Sequence, residues 1–75
     1  MDKMAAIREI YFWQFSNTGC FNQQLLDLFG KADFNNRAKL RLAYPELYEA
    51  WIEWNNAGDY GNDLFREHGL LKEPE

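Results

Sequence analysis

Cysteine and histidine are almost missing from this chain, which has one of each, Cys20 and His68. A single cysteine cannot close a disulfide within the chain, so a reducing cytoplasm is the expected compartment. A structural zinc site wants four Cys or His ligands, so no metal is expected. The two residues fall at the ends of different predicted helices, so a Cys–His nucleophile pair finds no support. Cys20, beside Gly19, reads as a small buried or loop thiol. His68 reads as a residue serving the dipole at a helix C-terminus. Basic residues are also outnumbered: 8 Lys and Arg stand against 12 Asp and Glu, for a net charge of −4. That balance weighs against broad contact with a nucleic-acid backbone, while allowing a basic partner. No glycine loop followed by Lys-Ser or Lys-Thr cradles a phosphate. No apolar run nears the 18 residues of a membrane span, and the opening MDKMAAIREI lacks the pattern of a signal peptide. Repeats, low-complexity tracts and linkers are absent too. Asp59, Asn62 and Asp63 echo part of a calcium loop, but their order is wrong and no glutamate closes it. With no catalytic constellation and no cofactor motif, a non-enzymatic protein is expected.

What the chain does have is rings. Three Trp, four Tyr and six Phe make 17% of its 75 residues. One domain is the only sensible count at this length, and a domain so small buries only about 60% of its unfolded surface. Such a core cannot easily hide all those rings, so some are expected at an interface. Self-association is expected for the same reason, because burial barely offsets chain entropy at this size.

The richest stretch is Ile7 to Phe15. On a helix at about 100° per residue, Met4, Ile7, Tyr11 and Phe15 form one stripe. Ala6, Ile10 and Trp13 form a second, and Phe12 lies on the far side. A helix apolar nearly all round is a buried one, so the rest of the chain, or a partner, should wrap it. The spacing predicts a first helix over 3–16, ended by Ser16 to Gly19. A second helix, 22–30, should be capped by Asn22, with Phe21 and Leu26 as a hydrophobic staple and Leu25, Leu28 and Phe29 facing the core beside Leu26. Asp33 should cap a third, 34–43, whose apolar side is Phe34, Ala38 and Leu42. Pro45 should open a fourth, with Leu47, Ala50, Trp51 and Trp54 as its core stripe and Asn55 to Gly58 as its end. Asp59 is the expected cap of a fifth, 60–68. Gly69 and Leu70 should close it as a Schellman motif, with Leu70 folded back on Phe65. Residues 71–75 read as a frayed tail. The expected fold is therefore all-α, a compact bundle of about five short helices.

Two surfaces stand out as candidate sites. The first lies on the fourth helix, where Glu46, Glu49 and Glu53 make an acidic stripe flanked by Tyr48 and Ile52. Rings bordered by carboxylates suit a protein partner with a basic rim. The second is the basic third helix. With the second helix and the turn at 30–33 it has the outline of a helix-turn-helix. Asn36, Arg37, Lys39 and Arg41 would then contact nucleic acid, with Asn36, Arg37 and Arg41 chemically able to read base edges.

The segment Phe29-Gly30-Lys31-Ala32-Asp33, followed by Asn36-Arg37, Lys39-Leu40 and Tyr44-Pro45-Glu46, resembles small acidic helical proteins encoded by phages and prophages. It covers about a quarter of the chain, with a looser echo through Trp51 and Trp54. The resemblance implies a mobile-element interaction protein, of the kind that inhibits a host defence system such as a CRISPR effector by binding it. The expected function is thus a protein-binding module working in the cytoplasm, with a small DNA-binding regulator as the alternative.

Overall fold

In a computed structural model, residues 1–16 and 19–71 are described, and they form five α-helices with no strand among them. The turn expected at residues 17 and 18, and all but the first residue of the expected frayed tail, lie outside the described residues. The helices are α1 (Lys3–Phe15), α2 (Phe21–Lys31), α3 (Phe34–Ala43), α4 (Pro45–Asn56) and α5 (Asn62–Glu67).

Local chemistry explains most of the boundaries. Asp2 accepts from Ala5 N at 2.7 Å and starts α1. Asp33 accepts from Asn36 N at 2.8 Å and starts α3, as its position before an apolar run demands. Tyr44 ends α3 and Pro45 opens α4 at its first turn, where a missing N–H costs nothing. At the far end, Gly69 N donates to Arg66 O and Leu70 N to Phe65 O, the paired bonds of a Schellman closure. Gly69 has the positive φ of 74° that this closure needs.

Other boundaries correct the sequence reading. Cys20, not Asn22, stands at the N-cap of α2, and its side chain makes no capping bond. Two glutamines tie the residue before the cap to the first turn: Gln23 Oε1 accepts from Gly19 N at 3.0 Å, and Gln24 Nε2 donates to Gly19 O at 2.6 Å. Phe21 lies within the helix and is exposed, with its ring beside Tyr44, so it does not staple to buried Leu26. The cap of α5 is Gly61 rather than Asp59. Asp59 is turned to Arg66, whose Nη1 lies 2.6 Å from Asp59 Oδ2 and 2.9 Å from Asp63 Oδ1. The guanidinium therefore occupies the place between the carboxylates that echoed a calcium loop.

The core is assembled from α1, α2, α4 and α5. Ala6, Ile7 and Ile10 meet Leu25, Leu26 and Phe29 on one side and Leu47, Ala50 and Trp51 on the other, with Leu64 and Phe65 closing the end. Edge-to-face rings join the elements: Phe29 with Tyr48 and Trp51, Tyr11 with Phe65, and Trp13 with Trp54. Trp13 Nε1 also donates to Asp27 Oδ1 at 2.9 Å, tying α1 to α2. One expectation fails here: Leu28 is exposed, because Gln23, Leu25, Leu26 and Phe29 supply the buried face of α2. The chain by itself wraps α1 only in part, and Phe12 and Phe15 remain exposed.

Candidate functional site

Helix α3 departs furthest from expectation. It contributes no buried residue to the core. The stripe Phe34, Ala38 and Leu42, expected to face inward, faces solvent, with Phe34 86% and Leu42 84% exposed. The reason is an arginine. Arg37 is half-buried: its Nε donates to Phe29 O at 3.1 Å, and its guanidinium lies 5.4 Å from the centre of the Trp51 ring. A guanidinium stacked on an indole is attracted by the ring quadrupole while its stem covers apolar surface. It satisfies a carbonyl near the end of α2 as well. Leu40 packs against the core on the same inward side. Once Arg37 and Leu40 take that side, helical spacing places Phe34, Ala38 and Leu42 outside.

That outward stripe forms one wall of a groove of about 650 Å³ between α3 and the start of α4. Phe34, Ala38, Leu42, Pro45 and Tyr48 make it largely apolar, and among the described residues Arg37 and Arg41 are its charged lining groups. Arg41 leans over Tyr48, 5.9 Å from the ring centre, and its Nη2 reaches Glu49 Oε1 at 3.4 Å. The two side chains of that pair are 63% and 66% exposed, so it is a loose surface contact worth about 0–1 kcal/mol.

The acidic stripe of α4 borders the groove. Glu46 and Glu49 are exposed beside it, and Ile52 is exposed one turn on. Glu53 is half-buried and held by Lys3, 2.9 Å away. This contact, chiefly the hydrogen bond to Glu53, raises the Lys3 ammonium above its ordinary value. Tyr48 belongs to both surfaces: its ring edge meets Phe29 and Trp51, and it lines the groove. The five candidate residues of α4 are thus spread around its exposed arc: Tyr48 lines the groove with α3, Glu46, Glu49 and Glu53 line a separate hollow beside Lys3, and Ile52 lies one turn on from Tyr48. The four candidate nucleic-acid contacts are divided. Arg37 is committed to Phe29 and Trp51, while Asn36, Lys39 and Arg41 are exposed.

The residues weighed for catalysis have structural surroundings. His68 Nδ1 lies 2.9 Å from Leu64 O and so donates to one of the last carbonyls of α5, the part expected of it. Cys20 is exposed at the start of α2. Among the described residues no three His, Cys, Asp or Glu side chains converge to hold a metal ion. No helix among them is long and apolar enough to cross a membrane.

Sequence reasoning missed the turn at 58–61. Asp59 and Tyr60 both have positive φ, 56° and 57°, and Gly61 follows at 89°. Tyr60 is 95% exposed at its tip. Gly61 lies against the Trp54 indole, where any Cβ would overlap the ring. A Gly-Asp-Tyr-Gly tetrapeptide was the available signal, since two glycines around Asp mark a tight turn. Comparison with protein-family models, with curated proteins and with solved structures finds no match to this chain.

Proposed function

We propose that the chain is a non-enzymatic protein-binding module that meets its partner through the outward side of α3 and the adjoining side of α4. The observation that carries this reading is the setting of α3, which adds no buried residue to the core yet holds Phe34 and Leu42 in water. Exposed apolar surface rimmed by polar groups is the mark of a contact site. Here the rim is charged on both sides, by Arg37 and Arg41 and by Glu46 and Glu49. Tyr48 is the natural anchor, because aromatic and arginine side chains dominate binding energy where they are packed and then covered. An inhibitor that blocks a host defence complex, as the phage resemblance implies, is one form this function takes.

The test is affinity capture from the source cell with tagged wild-type chain and with the double variant Phe34→Ser, Leu42→Ser. The reading expects a protein retained by the wild type and lost with the variant, at unchanged helicity. The same protein retained equally by both would reject the surface. The alternative, a DNA-binding regulator, rests on Asn36, Lys39 and Arg41. It expects duplex binding at low salt that Arg41→Ala weakens.

A further inference from the structure

We infer that the occupant of the α3–α4 groove is a second copy of this chain, which seats the acidic side of its own α4 there. The inference rests on the reading of this surface as a protein-binding one and names its partner.

Charge complementarity is the first argument. The groove is largely apolar, and among the described residues its charged lining groups are Arg37 and Arg41. The surface that would complement it is apolar with carboxylates, and the chain carries that surface directly alongside: Ile52 with Glu46 and Glu49 on the exposed side of α4. Basic groove and acidic rim share α4, so a two-fold axis that lays one copy's rim along the other's groove also forms the reciprocal contact. Such a closed, isologous pairing is the commonest form of self-association. The contact between Arg41 and Glu49 within one chain is long and exposed, so exchanging it for the same contact between chains loses little.

Area is the second. A standard interface takes about 800 Å² from each partner, roughly a sixth of the 5151 Å² surface of this chain. The reciprocal contact would cover the groove and the acidic side of α4 on both copies, and the most exposed apolar residues of the α3–α4 face, Phe34 and Leu42, lie within it.

Sedimentation equilibrium of the full chain, kept reduced and followed over a wide concentration range, tests this. The wild type is expected to show a reversible monomer–dimer equilibrium that weakens with salt. Leu42→Ser should abolish the dimer while leaving the circular dichroism spectrum unchanged. Two charge-reversed variants give the sharper test: Arg41→Glu in the groove, and Glu46→Arg with Glu49→Arg on the rim. Each alone should self-associate about tenfold more weakly, and an equimolar mixture should recover a heterodimer, because each reversed surface then meets its reversed complement. A wild type that sediments only at the 8.9 kDa monomer mass overturns the inference. So does a dimer indifferent to all these substitutions. A monomer that binds a short DNA duplex through Arg41 also overturns it, by giving the basic rim to nucleic acid. Failure here with Phe34-dependent capture of another protein leaves the binding reading standing, and loss of both removes it.

Discussion

Single residues fix the turns at the two ends of α5, and two glycines show how. Gly61 and Gly69 both have positive φ, at 89° and 74°. A side chain at Gly69 meets nothing within 4 Å, whereas at Gly61 it runs into the Trp54 indole. Gly69→Ala should therefore cost only the left-handed strain, about 1 kcal/mol. Gly61→Ala carries that strain and an overlap worth about 1–3 kcal/mol more. Thermal unfolding of the two variants checks the difference, with each 1 kcal/mol worth ~4–8 °C in a chain of this size. Tyr60 presents the opposite case. Its φ of 57° is unfavourable for a bulky residue, and its ring is almost wholly in solvent. Tyr60→Gly should raise stability by about 1 kcal/mol, since relief of strain outweighs the added freedom of the unfolded chain. A destabilised variant would show that the ring has a structural duty.

At the scale of elements, α3 is held differently from its neighbours. Its anchors are the Asp33 cap, the stacked Arg37 and a half-buried Leu40. Asp33→Ala should cost about 1 kcal/mol, and amide exchange should rise first along α3 while α1 and α4 stay protected. Exchange rising evenly through all five helices would mean that α3 opens only with the whole molecule. The helix limits at Asp33, Pro45 and Gly69 were legible in the sequence because caps and prolines are local and each acts within one turn. The core stripe Leu47, Ala50 and Trp51 was legible as well, since nothing else competes for that side of α4. The inward side of α3 was not. Periodicity shows that Phe34, Ala38 and Leu42 share a face, but it is silent on what covers that face. A guanidinium over Trp51 depends on where α4 comes to rest, which is a fact of tertiary structure. Leu28 was misread for a related reason, because a helix with more apolar residues than its buried arc can hold must leave one outside. The α4 candidates were chosen from spacing alone, whereas the groove required the observed rotation of α3.

For the whole molecule, the consequence is a division between residues that hold the fold and residues that only decorate it. The chain extends 42 Å along its longest axis and 24 and 22 Å across, and its radius of gyration is 12.3 Å. A compact domain of this length comes to about 11 Å. The excess fits a bundle whose third helix rides on α4 outside the shared core. Phe65→Ala or Phe29→Ala should cost about 3–5 kcal/mol, enough to unfold a domain so small. Phe34→Ser and Leu42→Ser should each stay within about 0.5 kcal/mol of wild type. Urea unfolding of the four variants separates the groups. If the outward pair proved as costly as the inward pair, α3 would have to be buried in solution by something this single chain does not contain.

The outward setting of α3 also bears on how long the chain lasts in a cell. Phe34 and Leu42, with Tyr44 at the helix end, are side chains that chymotrypsin-like proteases cut beside, and α3 adds no buried residue to the core. Cleavage follows the population of locally opened forms when opening is rapid. On the proposed reading, a copy whose groove is filled would be shielded at that helix and an unoccupied one would be cut first, so steady-state abundance would follow occupancy.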